Sequence, residues 1–273
     1  EGPSGQALVA DLRAAGCAID IEDMAAYAPV WHAPARGSYR GATIHAAPGL
    51  SGGPSLLEAM AELESSLAPG PAPDAASALC YARAIRAAGE RRLRSMGHGA
   101  AGADPGCTSH VSVIDGQDNA VALTNTLLSR FGAKVVAPSA DLLMNNGMMW
   151  FDPRPGRPNS IAPGARPLTN MCPLILDTAD GATHALGAAG GRQIFPALVQ
   201  LVSYLLDYGM SPGQALHAPR IDASTPTIVV DRAAPPDWQA ALATDFPARL
   251  SEDTLYPVVV AIPALAARDP RGA

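Results

Sequence analysis

The 273-residue chain has few charged and few aromatic residues, 16% and 5%, and a single lysine, Lys134. Acidic residues outnumber basic ones by 25 to 19, so the formal net charge is -6 at pH 7. Proteins that bind nucleic acids through the phosphate backbone normally carry a basic surface. The composition therefore argues against a general nucleic-acid-binding function.

The sequence also lacks a run of about 18 uncharged apolar residues, the length that a membrane-spanning helix needs. Its first residues, Glu1 to Ser4, contain neither the basic nor the apolar part of a secretory signal peptide. We therefore expect no membrane span and a cytoplasmic location, or a periplasmic one if a leader has been removed.

The chain has only four cysteines, Cys17, Cys80, Cys107 and Cys172, and no two of them form a CxxC pair. Structural zinc sites are usually built from such closely spaced pairs. We predict buried free thiols instead, because an unpaired cysteine packs as a small apolar side chain. We expect neither a metal nor an organic cofactor.

Apolar residues make up 48% of the chain, enough at this length to bury a core in one domain or slightly more. Helical patterns dominate the first hundred residues, and strand patterns follow. The longest helical segment, Asp74 to Ser95, carries arginines from Arg83 to Arg94, which we predict to lie in solvent. The order of these patterns predicts an α+β fold.

Alternating residues in Ser109 to Asp115 and Asn119 to Thr124 predict a β-hairpin around the polar turn between them. A second hairpin is predicted later in the chain, followed by a helix and a last strand. These segments are Pro173 to Asp177, Thr183 to Gly187, Arg192 to Tyr208 and Tyr256 to Ile262.

A small hydroxyl residue, Thr108, stands where a glycine-rich segment meets the first predicted hairpin. Its hydroxyl can attack the carbonyl of Cys107, and hydrolysis of the resulting ester would cut the chain there. The freed Thr108 would then carry its own α-amine beside its hydroxyl, so that one residue supplies nucleophile and base. A threonine before a strand is usually structural, however, so the pattern alone leaves both interpretations open.

From Thr108 onward the chain resembles the γ-glutamyltransferase (γ-glutamyltranspeptidase) family of N-terminal-nucleophile hydrolases. The order and spacing of several short segments carry this resemblance. They are Thr108-Ser109-His110 with Ser112-Val113, Asn119 to Leu127, Leu143 to Met148, Phe151, Pro155 to Asn159, Pro167 to Pro173, Gly187 to Gly191, Asp207 to Gly209 and Ala218 to Arg220. Before Thr108, Tyr39-Arg40-Gly41 and Ser51-Gly52-Gly53 resemble the later part of the family's large subunit.

The resemblance implies a four-layer αββα sandwich that is incomplete at its N-terminus, because the first part of the family's large subunit has no counterpart here. It implies a zymogen that cuts itself before Thr108 into an α chain, residues 1–107, and a β chain, residues 108–273. Thr108 would form an acyl intermediate with a small amide or γ-glutamyl substrate. Water or an amine would then accept the acyl group.

The resemblance also assigns roles to other residues. Thr126 would help to activate Thr108, and the backbone N–H groups of Gly190 and Gly191 would form the oxyanion hole. Asn146, Trp150, Thr169 and Asn170 would bind substrate. Of these, Thr169 and Asn170 stand where the family has two serines that contact the α-carboxylate of a glutamyl group.

Two further positions depart from the glutamyl-specific members. Trp150 replaces an aspartate that binds the substrate's α-amino group, and Leu128 replaces an asparagine that serves the same end. An ammonium group needs an anionic or strongly polar partner, which neither side chain supplies. We therefore expect an amidase for other small amides, similar to oxamate amidohydrolase or cephalosporin acylase, rather than an enzyme of glutathione metabolism.

Several alternatives stay open. The chain is a true γ-glutamyl transferase or glutathione hydrolase in one, and a non-catalytic fragment or remnant of the family in another. His110 either orders the active site or packs as an ordinary strand histidine. Asn145 and Asn146 either line the pocket or form an Asx turn.

Overall fold

A computed structural model describes residues 2–96, 106–252 and 260–269, with only the backbone described at Gly106 and Cys107. The α-helices are α1 (Pro3–Ala14), α2 (Ile21–Ala26), α3 (Gly53–Ser66), α4 (Ala75–Ser95), α5 (Ile194–Leu206), α6 (Pro212–His217) and α7 (Pro236–Leu242). Short 3-10 turns occur at Gly147–Trp150 and Gly191–Gln193. Within these residues, no helix combines the length and the apolar character needed to cross a membrane.

The main sheet has five antiparallel strands, ordered β1-β2-β7-β8-β12. Smaller sheets pair β3 with β4, β5 with β6, and β9 to β11 in the order β11-β10-β9. The strands are β1 (Ala35–Tyr39), β2 (Ala42–Ala46), β3 (Gly106–Ile114), β4 (Ala120–Ser129), β5 (Val136–Ala137), β6 (Leu142–Leu143), β7 (Leu174–Asp177), β8 (Thr183–Ala189), β9 (Ile221–Asp222), β10 (Ile228–Val230), β11 (Ala248–Leu250) and β12 (Ile262–Arg268). Both predicted hairpins are confirmed as β3–β4 and β7–β8.

Helices α3, α4 and α5 cover one face of the main sheet. Their apolar side chains share a single core with the side chains that β7 and β8 turn toward them, such as Leu174 and Leu186. Helix α5 is the centre of this layer, because its residues from Ile194 to Leu205 are all buried. A helix that is apolar all round is stable only when protein surrounds it.

The β3–β4 hairpin packs against the opposite face of the main sheet, on β8 and β12. It turns polar residues such as His110 and Thr124 inward, whereas its outer face is apolar. The outer residues are 49–57% exposed; they are Val111, Val113, Val121 and Leu123. Helices, main sheet and hairpin thus form three successive layers of an α+β fold, and the described residues include no fourth, helical layer over the hairpin.

The prediction that the α4 arginines lie in solvent is wrong for Arg92. Arg83, Arg91 and Arg94 are exposed and Arg86 is half-buried, but Arg92 is only 4% exposed. Its guanidinium donates hydrogen bonds to the backbone carbonyls of Ser51 and Thr169. Burial lowers the pKa of Arg92 to about 10.

The prediction for the cysteines is correct in one respect and wrong in another. Cys17, Cys80 and Cys172 are all free thiols. Cys172 is fully buried as predicted, but Cys80 is only partly buried and Cys17 is exposed. Cys17 follows the end of α1 on the surface, where no apolar layer covers it. The side chain of Cys107 lies outside the described residues.

Two of the sequence segments that carry the family resemblance meet at Asp207, whose side chain is fully buried. Arg40 Nε lies 2.7 Å from one carboxylate oxygen, and the Tyr39 hydroxyl donates to the other at 2.6 Å. Removing one member of a buried, hydrogen-bonded ion pair strands the other charge away from water. Tyr39, Arg40 and Asp207 therefore connect β1 with the end of α5.

Candidate active site

Thr108 and Thr126 lie directly opposite each other on β3 and β4. Their hydroxyl oxygens are 3.0 Å apart, with Thr108 donating to Thr126. The pairing register shifts between Gly106 and Thr108, which marks an irregularity at the predicted cleavage point. The two threonines that the sequence singled out are therefore in direct contact.

A residue with a strained backbone, Leu128, makes a hydrogen bond to Thr126. Leu128 has a φ of 72°, in the left-handed region. This conformation costs an ordinary side chain about 1–2 kcal/mol. It directs the Leu128 N–H to the Thr126 hydroxyl oxygen, at 2.9 Å. The Thr126 hydroxyl oxygen therefore accepts from both the Leu128 N–H and the Thr108 hydroxyl.

The Thr126 hydroxyl can be tested without changing the shape of the side chain. Thr126→Val keeps the branched side chain and loses the hydroxyl, so we expect hydrolysis of a small amide to slow about 10- to 100-fold. Thr126→Ser, which keeps the hydroxyl, serves as the matched variant and should retain most of the rate. Equal rates for the valine variant and the unaltered protein would remove Thr126 from the reaction.

The orientation of the β3–β4 hairpin along β8 and β12 determines which residues lie near Thr108. On β12, Arg268 stands opposite Thr183, the first residue of β8. The Arg268 guanidinium contacts the hairpin turn, at the Asp115 carbonyl (2.8 Å) and the Asp118 carboxylate (2.6 Å). The turn therefore lies at the start of β8. Thr108, at the other end of β3, lies toward the end of β8, where Gly190 and Gly191 follow.

Gly190 has a backbone conformation and surroundings that exclude a side chain, and Gly191 lies in the left-handed region that favours glycine. Their φ values are 143° and 58°, and a Cβ on Gly190 would lie 2.8 Å from the Cα of Ala261. Among the described residues, neither N–H group has a backbone or side-chain acceptor. Both N–H groups thus lack an internal acceptor, as the oxyanion hole expected at these glycines would require.

Asn146 precedes the 3-10 turn that follows β6, and Trp150 is the last residue of that turn. The Asn146 side chain accepts from the Ser129 N–H at 3.0 Å and donates to the Ser129 hydroxyl at 2.7 Å. It therefore ties this loop to the end of β4, near Thr126. The Trp150 indole N–H is buried and has no acceptor among the described residues. Asn145 does form the Asx turn, by accepting from the Gly147 N–H at 2.9 Å.

Thr169 and Asn170 belong to a second segment, which is held by the loop before α3. The Thr169 N–H donates to the Leu50 carbonyl at 2.8 Å, and the Gly52 N–H to the Met171 carbonyl at 2.8 Å. The Arg92 guanidinium links the two segments, because it donates to the Ser51 carbonyl in the loop before α3 and to the Thr169 carbonyl in the second segment. In the described part of the chain, no hydrogen bond joins this segment to Thr108.

One further feature was not expected from the sequence. Arg192 directly follows Gly191, and burial lowers the pKa of its guanidinium. No carboxylate among the described residues pairs with it. The same residues contain no group of three or more His, Cys, Asp or Glu side chains placed to hold a metal ion.

This arrangement can be compared with known proteins. A model of the gamma-glutamyltranspeptidase family matches residues 1–97 and 76–264, which together include most of the chain. The chain belongs to this family. The family predicted from the sequence is therefore confirmed.

Curated relatives within the gamma-glutamyltranspeptidase family include acylases and glutathione hydrolases. The chain is 34% identical to the Acylase ACY 1 proenzyme of Pseudomonas sp. strain SE83, over 86% of this chain and 48% of that protein. It is 31% identical to the glutathione hydrolase proenzyme of Arthroderma benhamiae, over 84% of this chain and 48% of that protein. The chain thus spans about half the length of the curated relatives it matches.

A solved structure confirms the fold. The cephalosporin acylase of Bacillus halodurans superposes with a TM-score of 0.80 at 22% identity, covering 91% of this chain and 52% of that one. The predicted α+β fold of the N-terminal-nucleophile acylases is therefore correct. Identity at this level shows the fold alone. The substrate of this gamma-glutamyltranspeptidase family member must therefore be inferred from its own residues.

Proposed function

We propose that this chain is the self-processing part of an amide hydrolase and acyltransferase with Thr108 as its nucleophile. The observation that supports this most strongly is the contact between the hydroxyl groups of Thr108 and Thr126. This contact lies toward the end of β8, and the chain continues from β8 into Gly190 and Gly191. One end of the molecule then holds a nucleophile, a hydroxyl that orients it and two backbone donors. The compartment, cytoplasmic or periplasmic, stays a prediction from the sequence.

Self-processing would begin with attack of the Thr108 hydroxyl oxygen on the carbonyl carbon of Cys107. The peptide C–N bond breaks, an ester joins Cys107 to the Thr108 side chain, and the nitrogen becomes the α-amine of Thr108. Water then hydrolyses the ester. The products are an α chain, residues 1–107, ending in a carboxylate, and a β chain, residues 108–273, beginning with a free amine.

Turnover would use the same oxygen. The Thr108 α-amine accepts the hydroxyl proton while the oxygen attacks the amide carbonyl of the substrate. The N–H groups of Gly190 and Gly191 donate to the oxyanion that forms. The amine product leaves with the proton from the α-ammonium group. Water, or a second amine, attacks the ester and releases the acyl group.

The residues around the site favour an acyl donor without an α-ammonium group. Trp150 and Leu128 offer no anionic partner to an ammonium, and the buried Trp150 indole N–H has no acceptor among the described residues. Arg192, which has no carboxylate partner among the described residues, adds positive charge after Gly191. Small amides such as oxamate, or amides whose acyl group ends in a carboxylate, fit these donors better than γ-glutamyl compounds.

Two anilides that differ only in the α-amino group test this preference. We expect kcat/KM to be higher for glutaryl anilide than for γ-glutamyl anilide, because only the latter must desolvate an ammonium beside Trp150. Trp150→Asp should move the ratio toward the glutamyl compound about 10-fold or more, since a buried ammonium gains a carboxylate partner. Trp150→Phe keeps an apolar ring and should preserve the original preference.

A preference for γ-glutamyl anilide in the unaltered protein would overturn this substrate assignment. It would favour the alternative of a γ-glutamyl transferase or glutathione hydrolase. Two observations favour that alternative. The Thr169 hydroxyl and the Asn170 amide can still bind a carboxylate, and the chain is similar to a glutathione hydrolase proenzyme. Inactivity toward both anilides and oxamate, together with an uncut chain, would favour the non-catalytic alternative.

A further inference from the structure

We propose that His110 is a positioning residue: seated on Gly187, it holds the strand of Thr108 in register with the strand that leads to Gly190 and Gly191. This inference rests on the proposed function, because it names what keeps the nucleophile and the oxyanion donors at a working distance. The contact between His110 and Gly187 lies between the two layers rather than within one sheet.

The His110 ring is fixed on both sides. Its Nδ1 lies 2.7 Å from the Thr124 hydroxyl on β4, and its Nε2 lies 3.0 Å from the Ser112 hydroxyl on β3. Burial lowers the pKa of His110, which favours the neutral ring. One ring nitrogen then donates and the other accepts, and hydroxyl groups can serve either nitrogen. The ring therefore has a defined orientation between three strands.

Gly187 is glycine because of this ring. A Cβ at Gly187 would lie 2.5 Å or less from the Cε1, Nδ1 and Nε2 atoms of His110. The backbone of Gly187 is ordinary strand, without positive φ, so conformational freedom does not explain the residue. Glycine inside a strand often marks a close approach by another group. Here the approaching group is the imidazole.

The ring lies midway between the two halves of the site. Thr108 is two residues before His110 and on the same face of β3. Gly190 is three residues beyond Gly187, just past the end of β8. Two residues of strand span about 6.6 Å. A ring that moves, or a strand that lifts away from Gly187, therefore changes the distance from the Thr108 hydroxyl to the Gly190 and Gly191 N–H groups.

A double-mutant cycle tests the contact. We expect Gly187→Ala to lower kcat about 100-fold with a smaller effect on KM, since misplacement of about 1 Å has effects of this size. His110→Ala should lower kcat about 10-fold. In the His110→Ala protein the added methyl group has space, so Gly187→Ala should change kcat less than about 3-fold.

Two control variants show that the effects are specific. Val111→Ala shortens the neighbouring side chain on the outer face of β3, and Gly116→Ala adds a methyl group in open space at the hairpin turn. Both should retain kcat. If Gly187→Ala lowers kcat equally with and without His110, the ring is not what Gly187 accommodates, and the proposal is overturned.

A measurement that needs no activity separates this proposal from the proposed function. In an uncut Thr108→Ala background, His110→Ala should shift the amide NMR resonances of Gly190 and Gly191, whereas Val111→Ala should leave them in place. If these resonances do not change, and the His110 and Gly187 substitutions are coupled only in the midpoint of unfolding, His110 contributes to packing alone and the proposal is overturned. If Thr108→Ala still turned over substrate, the proposed function would fail, and these resonances would still decide the role of His110.

Discussion

The Thr108→Ala variant is expected to form no acyl intermediate and to remain a single uncut chain. The substitution removes the oxygen that attacks both Cys107 and the substrate carbonyl. We expect hydrolysis of glutaryl anilide to fall more than about 10⁴-fold, as when the nucleophile of an acyl-transfer enzyme is deleted. Release of aniline measures turnover, and denaturing mass spectrometry measures the chain.

Two variants control this experiment. Thr108→Ser keeps a hydroxyl at the same position and should retain both cleavage and turnover at reduced rates. Ser109→Ala removes the neighbouring hydroxyl, whose residue is exposed on the other face of β3, and should change neither. Turnover that survives in Thr108→Ala but is lost in Ser109→Ala would place the nucleophile one residue later and refute our assignment.

The second large effect is expected at Gly190. Its φ of 143° is a conformation that L side chains rarely adopt, and a Cβ would press on Ala261. Gly190→Ala must therefore move the N–H groups of Gly190 and Gly191 away from the oxyanion. Removing one such donor lowers kcat about 10²- to 10³-fold, and we expect a loss of this size with KM changing little.

Gly209→Ala is the matched control for backbone strain. Gly209 also has positive φ, at 58°, but no other atom lies within 4 Å of a Cβ there, and it follows the end of α5 away from Thr108. It should lose some stability and keep its kcat. Equal losses of kcat in the two variants would attribute the Gly190 effect to strain alone and argue against the oxyanion hole.

The hairpin shows how far the sequence pattern could reach. The alternation from Ser109 to Asp115 predicted the strand and its turn correctly, because a period of two residues is typical of strands. The pattern does not say which face is buried. Apolar faces usually turn inward, yet here His110 and Thr124 are inside and Val111 and Val113 outside. The sequence therefore predicted the hairpin without predicting its orientation.

Other features depended on contacts between distant residues. Arg92 has the same type of side chain as its exposed neighbours on α4, and only the carbonyls of Ser51 and Thr169 explain its burial. The last strand was predicted at Tyr256 to Ile262, mostly outside the described residues, whereas β12 is Ile262–Arg268. Its small residues carry a weak strand signal, and pairing with β8 determines the strand.

Prediction of the site depended on the resemblance more than on the residues alone. Thr108 and Thr126 are 18 positions apart, and the strand pattern does not reveal that they face each other. The resemblance named them together with Gly190 and Gly191, and the fold brings both pairs to one end of β3 and β8. Gly187 was matched as part of the same glycine segment, but its contact with the His110 ring joins residues far apart in the sequence and could not be predicted.

Self-cleavage that frees Thr108 can be measured from the intact mass of the purified protein under denaturing conditions. We expect two polypeptides that meet between Cys107 and Thr108, whose masses sum to that of the uncut chain plus one water. A chain that stays uncut on prolonged incubation, or one cut at another peptide bond, would show that Thr108 is not an N-terminal nucleophile.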